Sequence, residues 1–172
     1  MRLQMRQARF AGEGAPPVGP IEVDLHDGER VALSFATNRE ASVAAMLAAA
    51  IVKPTGGSVL VDSFDSRIQP AACKRVVGYV PRDPLPLDRE RFRDLVSYRA
   101  QLWGIDPQRA LSFSKRLLER LAGVHEAFAY PIVAALVTSP HVLIVDRAQP
   151  SSEAAILAAA DGCAILSMRV YG

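Results

Sequence analysis

The sequence predicts an α/β domain in which helices flank a mainly parallel sheet, with antiparallel edge strands at the N-terminus and a small helical subdomain inserted. Short apolar runs alternate with helical patterns at both ends of the chain, which is typical of parallel βαβ units. The middle, residues 85–128, carries only amphipathic helical patterns. The length of 172 residues suits one domain, so we expect 1–172 to form a single domain with 85–128 as its subdomain.

The N-terminal part alternates strands with helices. Apolar alternation or short apolar runs predict strands at residues 2–10, 21–25, 30–35, 58–61 and 76–80. The first of these is expected at a sheet edge. Helices are predicted at residues 41–52 and 70–74. The longer helix is apolar almost all round, which predicts that it is buried, and Pro54 and Gly56 end it.

The remainder begins with helices and returns to strands. Helical spacing of apolar residues predicts helices at residues 89–103, 107–121 and 126–137. Asp106 is a plausible N-cap for the second, and Pro131 lies near the first turns of the third. An intensely apolar strand at 141–146 ends in Asp146, and a short helix to residue 160 and a strand at 163–168 complete the pattern.

Composition excludes several classes of function. The formal net charge of +2 implies no broad basic face, so no nucleic-acid partner is expected. Cys73 and Cys163 lie far apart and are interpreted as reduced thiols, and the three histidines lack metal-ligand spacing. The longest apolar run, residues 41–52, is too short to span a bilayer. These observations predict a cytoplasmic protein without a metal centre.

Four phrases in the sequence carry a family resemblance. They are DGERVAL at 27–33, KPTGGSV at 53–59, VVGYVP at 76–81 and ALVTSPHVLIVD at 135–146. In this order and spacing they resemble the nucleotide-binding domain of ATP-binding cassette (ABC) transporters, over residues 10–169. The resemblance implies a P-loop NTPase-like sheet and a helical subdomain that meets a membrane permease. This chain is a shortened version, by roughly a quarter on domain-size grounds.

The phosphate-loop positions implied by the resemblance are degenerate. A loop of the form GxxxxGK[ST] binds phosphates through backbone N–H groups, a lysine and a hydroxyl that binds Mg²⁺. Phe35 and Glu40 occupy its glycine positions, Ala41 its lysine position, and Ser42 retains the hydroxyl. Side chains at the glycine positions crowd the loop, and Glu40 adds a negative charge, so ordinary Mg-ATP binding is not expected here.

The other positions that the family uses for catalysis are altered too. Arg82 stands where the family has the glutamine-loop glutamine, Arg147 replaces the catalytic glutamate, and Arg169 falls on the switch histidine. The aspartate of the Walker B strand survives as Asp146. Without the glutamate no general base is available at that position. We therefore assign no catalytic residue.

Two further matches are weaker. The signature LSGGQ corresponds to residues 121–126, where Gly123 stands alone in place of the adjacent glycine pair. Phe10 lies about where the family stacks an aromatic ring on adenine, a match of spacing alone. The stretch after Asp146, where the family has its D-loop, reads PSSE at 150–153 and is shortened.

Each candidate also has a structural interpretation. Asp146 is a Mg²⁺ ligand or a residue paired with Arg147, Ser42 or a turn amide; Ser42 is a metal ligand or a helix-start residue. Phe10 stacks on adenine or packs at the core edge. The three arginines bind an anion, or form ion pairs with Glu40, Asp146 and Glu153, or reflect an arginine-rich composition in which 17 of 20 basic residues are Arg.

Three functions remain open. The first is a pseudo-ATPase ABC-type subunit with a structural or regulatory role in a membrane transport complex, partnered by a permease or another cassette subunit as a homo- or heterodimer. It would lie in the cytoplasm, at the inner face of the membrane, with no cofactor expected. The second is an atypical ABC transporter ATP-binding subunit that binds ATP and Mg²⁺ weakly through Phe10, Ser42 and Asp146. The third is an anion- or phosphoprotein-binding module that uses the arginines.

Overall fold

The computed structural model describes residues 1–84, 86–147 and 150–171, without the side chains of 150 and 151. The strands are β1 (Leu3–Phe10), β2 (Val18–Leu25), β3 (Arg30–Phe35), β4 (Gly56–Val61), β5 (Phe64–Asp65), β6 (Val77–Val80), β7 (Val142–Val145) and β8 (Ala164–Val170). The helices are α1 (Asn38–Ala48), α2 (Pro70–Val76), α3 (Arg89–Leu102), α4 (Pro107–Arg120), α5 (Glu126–Leu136) and α6 (Pro150–Ala159). The predicted α/β class is confirmed, and so is the order of elements apart from β5, where we expected a turn.

The antiparallel strands form a sheet of their own, sheet A, with the order β2-β1-β4-β5. Leu3, Met5 and Ala8 of β1 point into the core, while the outward positions carry ion pairs such as Arg6–Asp24 at 2.7 Å. The prediction of an edge strand for β1 is therefore wrong: β1 is an inner strand because β2 and β4 pair with both of its edges.

The parallel strands form sheet B, with the order β3-β8-β7-β6. Helix α1 lies between the two sheets, and its Ala41, Ala45 and Ala48 are fully buried in one core cluster with residues of both. Small side chains let α1 approach both sheets closely, which explains the alanine-rich pattern of this segment. Since all four strands run in parallel, their carboxyl ends meet at one edge of the sheet.

Helices α3 to α6 cover the opposite face of sheet B and form a second core cluster with Val80, Leu143 and Val145. The rings of Phe92 and Tyr130 stack there at 4.1 Å between centroids, which joins α3 to α5. Asp106 caps α4 as predicted, its carboxylate accepting from the Arg109 N–H. No helix among the described residues is long and apolar enough to cross a membrane.

Candidate nucleotide-site remnant

The candidate residues lie around the carboxyl edge of sheet B. Strands β3, β6, β7 and β8 end there at Phe35, Val80, Val145 and Val170, and α1 begins beside the end of β3. In open α/β sheets ligands bind at this edge, where loops and helix N-termini converge. The topology therefore brings the loop after β3, the residues after β6 and β7, and the end of β8 to the same edge.

Helix α1 begins with a capping box. Thr37 is the N-cap: its hydroxyl accepts from the Glu40 N–H at 3.2 Å, and the Glu40 carboxylate accepts from the Thr37 N–H at 3.0 Å. Two N–H groups at this terminus are thus bonded to the chain's own side chains. The Glu40 carboxylate also lies at the positive end of the helix dipole, where it stabilises the helix.

The start of α1 corrects one sequence interpretation. We expected the helix from residue 41 with Ser42 as a helix-start residue, whereas Thr37 caps it and Ser42 is the fifth residue. The helix extends back because the sequence TNRE at 37–40 supplies the capping box. Ala41, at the position that the resemblance gives to lysine, is fully buried in the core.

Asp146 follows β7 and is nearly completely buried, at 3% exposure. The Tyr79 hydroxyl donates to its Oδ2 at 3.2 Å, while no described group meets Oδ1 in hydrogen-bond geometry. Burial raises the pKa of the carboxyl above its ordinary value, and the nearby Ser42 and Tyr79 hydroxyls oppose that rise. The same burial, together with the Asp146 charge, raises the pKa of Tyr79. No cationic side chain in the described part of the chain bonds this carboxyl.

The three arginines have separate partners. Arg82 donates to the adjacent Asp83 at 3.1 and 3.2 Å, and Arg147 donates to the side-chain oxygen of Asn38. Arg169 forms an ion pair with Glu153 at 2.6 Å, one of the pairings the sequence suggested. The pairing of Asp146 with Arg147 is not formed among the described residues, and Glu40 instead bonds the helix cap. Arg147 also has a positive φ of 58°.

Phe10 packs at the edge of the core, and the signature-like segment forms the turn between α4 and α5. Phe10 ends β1, half-buried against the core, with its ring so close to Gly12 that a Cβ there would lie 2.8 Å from the ring. Gly123 has a φ of 95° in the turn between α4 and α5, and the His125 side chain caps α5. The PSSE stretch lies in α6, and of its side chains those of 150 and 151 fall outside the described residues.

Sequence reasoning missed three participants: Thr37, Asn38 and Tyr79. The spacing Thr-x-x-Glu was a signal for the capping box that we did not use. Tyr79 pairs with Ile144 in the β6–β7 register, so it shares a face with Asp146 two residues on. In the described part of the chain no group of three or more His, Cys, Asp or Glu side chains is arranged to hold a metal ion.

Comparison with known proteins identifies the fold. No protein-family model matches the sequence, and no curated protein matches it. Solved structures match strongly despite low identity. The ATP-binding subunit of an ABC transporter superposes with a TM-score of 0.76 at 18% identity, covering 99% of this chain and 80% of that one.

Two further structures agree. The cbiO1 protein of Clostridium perfringens, part of the ABC transporter complex cbiONQ, gives a TM-score of 0.71 at 16% identity over 99% of this chain and 78% of that one. An ATP-binding cassette solved as a dimer in a post-hydrolysis state, bound to ADP and Pi, gives a TM-score of 0.71 at 16% identity. The match covers 97% of this chain and 87% of that one. The chain therefore has the fold of the ATP-binding domains of ABC transporters.

Proposed function

We propose that this chain is a catalytically inactive, ABC-type subunit with a structural or regulatory role in a membrane transport complex. One observation carries the proposal: the N-terminus of α1, where the fold would receive nucleotide phosphates, is closed by the chain's own capping box. Helix N-termini bind anions through free N–H groups and the positive end of the dipole. Here the Glu40 N–H is bonded to the Thr37 hydroxyl, and the Glu40 carboxylate already lies at the positive end of the dipole.

The backbone of this loop supports the same conclusion. A phosphate-binding nest needs successive N–H groups turned inward by residues of alternating hand. No residue from 35 to 42 has a positive φ. The loop is instead an extended strand end that passes directly into a capped helix. This backbone supports the proposal that residues 35–42 do not bind a nucleoside triphosphate and its Mg²⁺.

The charges at this edge are also unsuited to ATP hydrolysis. The Glu40 carboxylate repels phosphate, and the buried Ala41 offers no cation. Arg147 follows Asp146 and cannot remove a proton from water, because its guanidinium stays protonated.

An exposed apolar stripe on α3 supports a protein partner. Tyr98 and Leu102 are 61% and 52% exposed and lie four residues apart, so they share one side of the helix. Trp103 follows at the C-cap, with the Arg99 guanidinium 5.3 Å from its ring centroid. We propose that this stripe contacts a permease or another cassette subunit.

No specific observation favours either alternative function, weak ATP binding or anion binding. Weak ATP binding through Phe10, Ser42 and Asp146 would need a free helix terminus as well as these side chains. An anion-binding module built on Arg82, Arg147 and Arg169 would need three uncompensated charges, whereas Arg82 and Arg169 form ion pairs with Asp83 and Glu153. Arg147 donates to the neutral side chain of Asn38.

Rebuilding the phosphate loop tests the loss of chemistry. We expect Thr37→Gly and Glu40→Gly together to free the helix terminus and to give measurable pyrophosphate binding by calorimetry. Phe35→Gly and Ala41→Lys added to them should strengthen it about tenfold by supplying the cation. Thr37→Ser, which keeps the cap, is the matched control. Saturable Mg-ATP binding by the unaltered chain, equal to that of the rebuilt one, would overturn the proposal.

The proposed role in a complex has its own test. Purified membranes bearing the co-expressed transport complex should retain the chain, and Tyr98→Glu with Leu102→Glu should release it. An equivalent pair of changes at the exposed Asp83 and Asp94, to asparagine, serves as control. Equal retention of both double variants would refute the proposed contact surface.

A further inference from the structure

Helix α4 carries a line of unpaired arginines on its exposed side. Arg109, Arg116 and Arg120 are all exposed, and their spacing of seven and four residues places them within about 40° of one another around the helix axis. None of the three forms an ion pair with another residue that the structure describes. The line is about 16 Å long and holds three positive charges without a counter-charge among these residues.

The exposed residues around this arginine line keep the positive charge narrow. Lys115 and Glu119 lie four residues apart on one side of the line, so their charges offset each other. On the adjoining helix α3, Glu90 and Asp94 stand among the exposed arginines. A flat anionic membrane would meet these carboxylates as well as the arginines, whereas a rod-shaped acidic partner can lie along the line alone.

Phe113 supplies an aromatic ring beside the middle of the arginine line. The ring is half-buried against the second core cluster, and the guanidinium carbon of Arg116 lies 5.6 Å from its centroid. This cation–π contact favours one orientation of the Arg116 side chain. Arginine and aromatic residues are enriched at protein interfaces, so the combination favours a protein as the occupant.

A recess of about 210 Å³ opens beside Phe113. Its apolar walls include Leu136, Pro140, Ala159 and Ala160. Two carboxylates also line it: Asp27 is bonded by Arg2, while Asp161 has no ion pair in the described part of the chain. The recess therefore suits an apolar side chain of the occupant and disfavours an acidic one at this point.

The spacing along the arginine line indicates the shape of the occupant. The helix rises about 10.5 Å from Arg109 to Arg116 and about 6 Å more to Arg120. Side chains on one face of an extended strand recur about every 6.7 Å, so a strand can match only the shorter interval. A second helix that spaces its acidic residues by the same seven and four positions matches both intervals.

The helices of this chain do not offer such a line themselves. Among the described residues α3 has two acidic side chains, Glu90 and Asp94, and each other helix has one at most. A second copy of the chain therefore lacks the helix that the arginine line would match. The occupant belongs to a different protein.

We propose that α4 binds an acidic helix of a partner protein, which pairs its carboxylates with Arg109, Arg116 and Arg120 and places an apolar side chain in the recess beside Phe113. An antiparallel arrangement is favoured because it opposes the two helix dipoles. From Arg120 back to Arg109, the partner then has glutamates at positions 1, 5 and 12 and an apolar residue at position 8. The interaction is independent of the proposed loss of ATPase activity, because α4 lies outside the nucleotide-site remnant.

A designed helical peptide tests the proposal. It carries glutamates at positions 1, 5 and 12 and leucine at position 8, with alanine and glutamine elsewhere and a hydrocarbon staple on the opposite side to fix the helix. The control peptide has the same composition, with its glutamates spread around the helix. We expect saturable binding of the first peptide by calorimetry, and binding of the control at least about tenfold weaker. Replacing the leucine by alanine should weaken binding on the order of tenfold, because the recess is then unfilled.

Protein variants locate the contact on α4. Arg109→Gln, Arg116→Gln and Arg120→Gln together should weaken binding of the first peptide on the order of tenfold or more, since an exposed ion pair contributes up to about fivefold. Lys115→Gln removes a charge from the same helix beside the arginine line and should change the affinity by less than about twofold. Circular dichroism checks that each variant is folded like the unaltered chain.

Several results would each overturn the proposal. They are no saturable binding of the first peptide up to about 1 mM, equal binding of the control peptide, and an equal loss of affinity on Lys115→Gln. Phosphatidylserine vesicles that bind the arginine line more tightly than the peptide would assign it to a membrane instead. Self-association that the triple glutamine variant abolishes would assign it to a second copy of the chain.

Discussion

Replacing Asp146 by asparagine should stabilise this protein, although the same residue would be indispensable in a working nucleotide site. The carboxyl is 3% exposed, one oxygen accepts from Tyr79 and the other has no hydrogen-bond partner among the described residues. Ala41 stands at the position where the resemblance places a lysine, and of the described cations Arg82 acts on the carboxyl only weakly, without a bond to it. Asparagine keeps the acceptor for Tyr79 and removes the buried charge.

The expected gain follows from the loss of the buried charge. Asparagine leaves a polar group at that position but carries no charge, and burying an uncompensated carboxylate is the larger cost, so Asp146→Asn should raise the free energy of unfolding by about 1–2 kcal/mol at pH 7. The raised pKa of Asp146 gives the sign of the pH dependence. The protonated carboxyl is favoured in the folded state, so the cost grows as the pH rises through the folded pKa and vanishes well below the ordinary aspartate value.

Urea unfolding of the two proteins between pH 4 and pH 8 measures this difference. The variant should gain an advantage as the pH rises. Asp83→Asn, at an exposed carboxylate beside Arg82, is the matched control and should change stability by less than about 0.5 kcal/mol. An Asp146→Asn variant that is less stable at pH 7 would refute the reasoning, because it would show that the charge is compensated.

Three other predictions concern the fold. Thr37→Ala should lower the free energy of unfolding by about 1 kcal/mol through loss of the cap, and Thr37→Ser by much less, in urea titrations. Gly78→Ala should cost about 1–3 kcal/mol by thermal unfolding, because a Cβ there lies 2.7 Å from the Ala135 carbonyl; wild-type stability would contradict that packing. Burial alone would raise the pKa of Asp62, but bonds from His141 and Arg2 hold it below its usual range. The free energy of unfolding should therefore fall as the pH drops below about 4. Asp62→Asn should flatten that acid slope.

The fold class was predictable because it depends on local patterns. The strand at residues 30–35 coincides with β3, and the apolar run before Asp146 contains β7. Period-2 and helical spacings are properties of a contiguous stretch of sequence, so they can be recognised without knowledge of the rest of the chain. The two-residue strand β5 was missed because so short a segment has no period.

The partners of the candidate residues were less predictable. The ion pair of Arg169 with Glu153 was among several options, and the choice depends on how β8 lies against α6. Likewise the bond between Tyr79 and Asp146 depends on the β6–β7 register, which joins residues 67 positions apart. The start of α1 is different, since its capping box could be recognised in the sequence. We placed the start at residue 41 because the apolar run begins there.

Titration of the unaltered chain with ATP and Mg²⁺ by isothermal calorimetry tests the central claim most directly. The closed helix terminus predicts no saturable binding up to about 1 mM nucleotide, while circular dichroism shows the chain folded. Saturable binding with a Kd of about 10 µM or tighter, lost on Asp146→Asn, would contradict the account and show a functioning nucleotide site.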